Sequence, residues 1–163
     1  MINIQQWHPE HYNNALGALL LTAFQTGESY VYPQDISAEN ALKAWSPEGA
    51  VVFVALENEQ LLGTYTLKPN FPGQGAHVAN ASFVASPAAA GKGLGKQLGL
   101  HALEQAKALG YQAMQFNAVV STNIRAVKLW ERLGFTIIGT VPEGFQHPSE
   151  GLVDLFIMHR PLV

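Results

Sequence analysis

Residues 83–96 read Phe83-Val84-Ala85-Ser86-Pro87-Ala88-Ala89-Ala90-Gly91-Lys92-Gly93-Leu94-Gly95-Lys96, and this stretch decides the fold. A β-rich run gives way to a turn of small residues. The turn opens a helical pattern in which Leu94, Leu98, Ala102, Ala106 and Leu109 recur near the 3.6-residue period. Successive backbone N–H groups at such a helix start form an anion cradle, aided by the helix dipole. Glycine at 91, 93 and 95 lets a pyrophosphate approach the backbone, and Lys92 and Lys96 add charge. The competing explanation is a tight strand-to-helix turn that needs glycine for its backbone angles alone. Two other phosphate motifs fail. A Walker A loop ending at Gly95-Lys96 needs an earlier glycine where Ala90 stands, and Ser or Thr where Gln97 stands. The dinucleotide fingerprint requires a third glycine where Lys96 stands, and it usually follows the first strand of a parallel unit.

Upstream of the turn, His77 to Ser86 reads as a strand, set off by a break at Phe71-Pro72-Gly73-Gln74-Gly75. Before that break, Ala50 to Leu56 and Leu61 to Leu67 are β-rich runs separated by Glu57 to Gln60, the pattern of an antiparallel hairpin. Ile2 and Ile4 alternate with polar residues as a first strand. His8 to Phe24 carries Leu16, Leu19, Leu20 and Phe24 at helical spacing, with Pro9 suited to its first turn. A turn-rich segment, Gln25 to Ser37, leads to a short helix with Ser37 as N-cap and Ala41, Leu42 and Trp45 inward. Downstream, Gly110 ends the long helix and Met114 to Val120 is a strand. Asn123 to Leu133 is a helix with Ile124, Val127, Trp130 and Leu133 inward, stopped by Gly134. Phe135 to Val141 and Leu152 to Met158 close the chain as strands. The order β-α-α-β-β-β-α-β-α-β-β specifies an α/β fold with a mixed sheet flanked by helices.

The chain has 163 residues, 48% apolar and 13% charged, which fits one domain over 1–163 and excludes a disordered chain. A net charge of -3 provides no basic field for nucleic acid. Cysteine is absent, which excludes disulfides, thiolate metal sites and a cysteine nucleophile. The longest apolar run, Ala15 to Phe24, is about half of a membrane-spanning helix. Met1-Ile2-Asn3-Ile4 lacks the basic region of a signal peptide. A soluble cytoplasmic domain, without nucleic-acid or membrane partners, is the expected class. No histidine pair, His147 and His159 included, has metal-ligand spacing.

The glycine turn resembles motif A of the GNAT superfamily of N-acetyltransferases, Gln/Arg-x-x-Gly-x-Gly/Ala, matching at Gly93 and Gly95 and departing at Ala90. Asn123-Ile-Arg-Ala126-Val-Lys-Leu-Trp130-Glu-Arg-Leu-Gly134-Phe135 resembles the family's second signature, Asn-x-x-Ala-x-x-Leu-Tyr-x-x-x-Gly-Phe. The separation of the two blocks also fits. The resemblance implies a mostly antiparallel sheet of about seven strands with four helices, splayed between the fourth and fifth strands, and acetyl-CoA as cofactor. By that analogy Phe83, Val84 and Ala85 present backbone groups to the pantetheine arm. Residues 90–96 (Ala90, Gly91, Lys92, Gly93, Leu94, Gly95, Lys96) hold the pyrophosphate, and Asn123, Ala126 and Trp130 lie further along the cofactor. The implied chemistry is direct attack of a neutral amine on the thioester, with an oxyanion donor from a strand N–H such as Val84.

The family often carries Tyr where Trp130 stands, as the acid for the departing thiolate. An indole is not a usable acid, so water or a hydroxyl near Ser121 and Thr122 is the expected substitute. Neither cleft strand contains Asp or Glu. That favours a low-pKa acceptor, an α-amino group being roughly a tenth neutral at pH 7 and a lysine only about 0.04%, with a water relay, Glu28 or His77 as the alternative base. Asn80 and Asn117 lie inside apolar strands where Asn is disfavoured, and they are expected to hold a polar substrate or water, or else to be satisfied by backbone where the ladder opens. Together with Trp130 and the C-terminal strands they resemble the proline-analogue (azetidine-2-carboxylate) acetyltransferases, which implies a small amino-acid-like amine. Substrate walls are expected from Thr26–Tyr32, Phe71–Gly75 and Gly144–Gly151, with Tyr30, Tyr32 and Phe71 lining the pocket and Glu28 meeting the amine. Rival readings are a protein or peptide N-acetyltransferase and a non-catalytic CoA-binding sensor, the latter motivated by Ala90 and Trp130. Homodimerisation is frequent in the family, and no contact surface is legible in the chain.

Overall fold

Short β-rich runs in the first half of the chain, the central two buried on both faces, build an antiparallel meander. The computed structural model describes residues 1–163, and in it β1 (Asn3–Gln6), β2 (Val51–Glu57), β3 (Gln60–Pro69) and β4 (Val78–Ala85) pair in sequence. Asn58 and Glu59, both at positive φ, make the two-residue β2–β3 turn that the hairpin pattern predicts. β5 (Ala113–Val120) then joins β4 in parallel, and β7 (Gly151–Pro161) lies between β5 and the edge strand β6 (Thr136–His147). The sheet order is β1-β2-β3-β4-β5-β7-β6, with β4–β5 its parallel pair.

Four helices cover this sheet. α1 (Asn13–Gln25) and α2 (Ala38–Trp45) pack on one face, where Leu16, Leu20, Phe24 and Trp45 meet Val52, Val54 and Val84. α3 (Leu94–Ala108) and α4 (Ile124–Arg132) cover the other, where Leu94, Leu98, Ala102 and Trp130 meet Tyr65, Leu67, Met114 and Phe116. Ser37 caps α2 as expected, its hydroxyl accepting from the Asn40 N–H at 3.1 Å. No helix is long and apolar enough to cross a membrane.

Three features differ most from the sequence expectation. α1 starts at Asn13 because Tyr12 takes a left-handed conformation (φ 59°) that ends the preceding turn, so Pro9 lies outside the helix. Ile124 is 59% exposed rather than inward, since as the first residue of α4 it precedes the turn that docks on α3. The last two strands run longer than their apolar cores, so Gly144 to His147 belongs to β6 and the loop is reduced to the turn before Gly151.

Candidate active-site cleft

The parallel ladder between β4 and β5 consists of the pairs Val78–Ala113, Ala79–Met114 and Asn80–Gln115, and then the strands part. Asn80 marks the parting, its Nδ2 donating to the Gln115 carbonyl at 3.0 Å. On β5 the register with β7 slips between Phe116 and Val119, so Asn117 and Ala118 sit in a bulge. The two asparagines that looked misplaced in strands therefore occupy the last rung and the irregularity; Asn80 meets a backbone carbonyl there, Asn117 only other side-chain amides. Asn117 donates to Asn70 Oδ1 at 2.7 Å and accepts from Gln115 Nε2 at 3.0 Å.

The gap is a cavity of about 230 Å³ lined by residues of β4, β5, α4 and the α1–α2 connection. Its floor is aromatic: Trp130, 8% exposed, stands with its ring centroid 4.7 Å from Phe83 and 4.6 Å from Phe116. Trp130 thus serves both packing and cleft. Tyr30 and Tyr32 form a wall braced on Phe24, at centroid distances of 5.3 and 4.6 Å. Burial pushes both phenols above the ordinary tyrosine range. Asn80, Asn117 and Asn123 supply carboxamides, and no Asp, Glu, His, Lys or Arg lines the cavity.

A wider groove of about 900 Å³ continues from it between the glycine turn and α4, sharing Tyr30, Asn123 and Ala126 with the cleft. Asn123 is the junction. It caps α4 by accepting from the Ala126 N–H at 3.3 Å and donates to Ser29 Oγ at 3.3 Å. Gly91 and Gly93 have φ of 79° and 69°, and a Cβ at either would meet nothing within 4 Å. The backbone angles alone therefore require glycine, and the same bareness keeps the groove wall open. Lys96, Arg125, Lys128 and Arg132 line the groove, four of the chain's nine lysines and arginines, and no carboxylate faces them. The arrangement suits a polyphosphate in the groove and an apolar chain in the cleft.

The cleft and groove bring together Asn80, Asn117, Trp130, Phe83, Ala85, Ala90, Gly91, Gly93, Leu94, Gly95, Lys96, Asn123, Ala126, Tyr30 and Tyr32 from the sequence-derived set. Four do not join them. Lys92 turns away to the Glu57 carboxylate, lowering that group's pKa chiefly through the hydrogen bond. Val84 lies in the α1–α2 core. Strand alternation also settles its peptide groups: the Val78 carbonyl and Ser86 N–H bond to the β3 side, which sends those of Val84 there too. Phe83 and Ala85 instead face the open edge, so the strand N–H available to an oxyanion is theirs. Phe71 is 60% exposed on its loop, and Glu28 is exposed with its N–H bonded to Thr26 Oγ1. Neither lines the cleft, although Ser29 to Tyr32 of the Glu28 loop do. Ser121 and Thr122 are also absent from the lining, where the hydroxyls are those of Ser29, Tyr30, Tyr32 and Ser82.

The sequence reading missed Arg125, Lys128 and Arg132. Their spacing of three and four residues along α4 places them on one stripe of the helix, a periodic signal that was legible. They supply the charge that Ala90 lacks. What presses this stripe toward the cradle is a pair of glycines one helical turn apart on α3. A Cβ at Gly95 would stand 3.2 Å from Leu129 Cδ2, and one at Gly99 would stand 2.6 Å from Leu133 Cδ1 and 3.1 Å from Trp130 Cζ3.

The sequence profile of the acetyltransferase (GNAT) family matches residues 7–135. Over 98 residues the chain is 41% identical to N-acetyltransferase aca1 of Schizosaccharomyces pombe, a stretch covering 60% of this chain and 47% of that protein. Over 100 residues it is 35% identical to Protein SPT10 of Saccharomyces cerevisiae, covering 58% of this chain and 16% of that protein. The chain spans less than half the length of these curated relatives. A GCN5-related N-acetyltransferase from Kribbella flavida superposes with a TM-score of 0.92 at 41% identity, over 98% of this chain and 97% of that one. The acetyltransferase yncA from Salmonella typhimurium, solved with acetyl-CoA, shares the fold at a TM-score of 0.85 and 23% identity, over 100% of this chain and 95% of that one.

Proposed function

Because this chain belongs to the acetyltransferase (GNAT) family, we propose that it moves the acetyl group of acetyl-CoA directly to the neutral amine of a small, amino-acid-like acceptor. The observation that carries this reading is the continuity of a cationic groove with an uncharged cleft where β4 and β5 part. Bound acetyl-CoA supplies an activated thioester. Lys96, Arg125, Lys128 and Arg132 would hold its phosphates beside the amides of the glycine turn. The aromatic floor of Phe83, Phe116 and Trp130 excludes water from the transfer. The open β4 edge directs the N–H groups of Phe83 and Ala85 into the gap, where a carbonyl oxygen gains negative charge.

No Asp, Glu, His, Lys or Arg lines the cleft and burial holds the Tyr30 and Tyr32 phenols protonated, so the acceptor arrives already neutral. For an α-amino group of pKa near 7.8 that requirement costs about 1.2 kcal/mol at pH 7, and for a lysine side chain about 4.6 kcal/mol. A thiol of pKa near 8.5 departs as a fairly stable thiolate, so Trp130 need not protonate it.

Thermal unfolding with acetyl-CoA, with ATP and NAD as controls, tests the cofactor. Ligand at 100 times its Kd adds about 2.7 kcal/mol, or roughly 2–4 °C per kcal/mol for a chain of this size. A rise with acetyl-CoA alone supports the reading and leads to an acceptor screen by thiol release. A flat response at millimolar acetyl-CoA refutes it. Stabilisation without turnover of any amine means a cofactor-binding sensor, and acetylated protein targets found by mass spectrometry mean a peptide substrate.

A further inference from the structure

The cleft has two mouths of opposite character. On the α3–α4 side its walls are aromatic. On the side that α1 and α2 only partly cover, a polar row crosses four strands. Lys68 of β3 pairs with Asn80 of β4, Asn80 with Gln115 of β5, and Gln115 with His159 of β7. Paired residues on adjacent strands share a face. The face itself is fixed by their neighbours. Thr64, four residues along β3 from Lys68 and so on the same face, hydrogen-bonds Trp45 of α2, while Leu67, Ala79, Ala81, Met114 and Met158 all point into the opposite core. All four residues of the row keep partial exposure, so neither helix closes over them.

This row is richer in polar capacity than the sheet needs. Asn80 spends its Nδ2 on the Gln115 carbonyl, which leaves its carboxamide oxygen beside the cavity. Asn117 and Asn70 bind one another next to the row. Lys68 is a cation without an anion: the ion pairs of the chain are Met1–Glu57, Lys43–Glu39 and Lys92–Glu57. Lys68 and Asn80 are cross-strand partners, whose Cβ atoms stand about 4.5–5.5 Å apart, and the lysine stem is long enough to carry its ammonium over Asn80. The cleft itself holds no charge that could pair with an acceptor's carboxylate.

We propose that this row is the acceptor subsite: Lys68 pairs with a carboxylate of the incoming amine, while Asn80 and Asn117 orient the amine toward the gap. The inference rests on the acetyl-transfer reading and narrows it to anionic acceptors, α-amino acids or their analogues.

The test compares α-amino acids with their primary amides as acceptors, scored as the ratio of kcat/KM within each acid–amide pair. Comparing that ratio between wild type and Lys68→Met cancels the differing basicity of the two amines. Lys68→Met lowers the acid-to-amide ratio at least tenfold, chiefly through KM of the acid, and Lys68→Arg retains it. The thermal shift given by acetyl-CoA stays the same in both variants. An unchanged ratio in Lys68→Met overturns the proposal. So does an enzyme that binds acetyl-CoA yet acetylates neither series. If acetyl-CoA fails to stabilise the wild-type chain, the acetyl-transfer reading itself falls, a result distinct from the other two.

Discussion

The Tyr30 hydroxyl donates to the Phe83 carbonyl at 2.6 Å, joining the α1–α2 connection to the open edge of β4 across 53 positions of sequence. That edge has no strand partner beyond Asn80, so a side chain occupies a position where the ladder would otherwise continue. Tyr30→Phe removes the tether and leaves the carbonyl to water. The expected cost is about 1 kcal/mol, at the low end of the range for a lost partner because the cleft is open to solvent. Thermal unfolding should show a fall of roughly 2–4 °C, with the acetyl-CoA stabilisation preserved. No change in melting temperature would show that the bond does not anchor the loop.

Two lysines of the glycine turn region look equivalent in sequence and are not equivalent in space. Lys92 faces Glu57, whereas Lys96 lines the groove opposite Arg125 and Lys128. Lys92→Ala should leave the Kd for acetyl-CoA within about twofold. Arg125→Ala combined with Lys128→Ala should weaken it tenfold or more, about 1.4 kcal/mol, with the loss shrinking at high salt. Calorimetric titration of the two variants checks the contrast, and equal effects would show that Lys92 swings into the groove on binding.

Gly99 sets the distance between α3 and α4. Gly99→Ala would place a methyl 2.6 Å from Leu133 Cδ1 and 3.1 Å from Trp130 Cζ3, so the Leu133 side chain must turn aside or α4 move outward. Overpacking of this kind costs about 1–3 kcal/mol. Because α4 carries three of the groove's cations, the same substitution should weaken acetyl-CoA binding as well as lower the melting temperature. Loss of stability with an unaltered Kd would separate helix packing from the groove.

A cleft free of carboxylates and histidines predicts a simple pH profile. For a fixed acceptor, kcat/KM should rise about tenfold per pH unit below the amine's own pKa and flatten above it, since only the neutral amine reacts. The inflection should track the acceptor when acceptors of different basicity are compared. An inflection that stays fixed across acceptors would reveal an enzymic base. Trp130→Phe should retain most of kcat at every pH, because the indole donates no catalytic proton. Abolished turnover with intact acetyl-CoA binding would show the contrary.

The fold was legible where local chemistry punctuates the chain. Gly91 and Gly93, Gly110 and Gly134 each stand at positive φ beside a helix end, and the turn at Asn58-Glu59 separates two β-rich runs. The groove beside the glycine turn was legible in part for the same reason: its wall is the bare backbone of Gly91, Gly93 and Gly95. The residues that were misplaced depend on facts that lie outside any short window. Lys92 is drawn off by Glu57, thirty-five positions away. The orientation of the Val84 peptide depends on which side of β4 carries β3. Phe71 and Glu28 sit in loops whose reach no periodicity encodes. The polar row from Lys68 to His159 is assembled from four strands and exists only in the register of the sheet.

Those short β4–β5 rungs, from Val78–Ala113 to Asn80–Gln115, also make the sheet two leaves on a narrow hinge. Beyond them the leaves are held by helices and by Tyr30 rather than by backbone ladders. Under the proposed activity, the molecule that lies in the split stands in for the missing rungs, so loading with acetyl-CoA completes the architecture as well as the chemistry. The empty enzyme is then the form most open to proteases and to exchange of its β4 and β5 amides, which couples the lifetime of the protein to the supply of its acetyl donor.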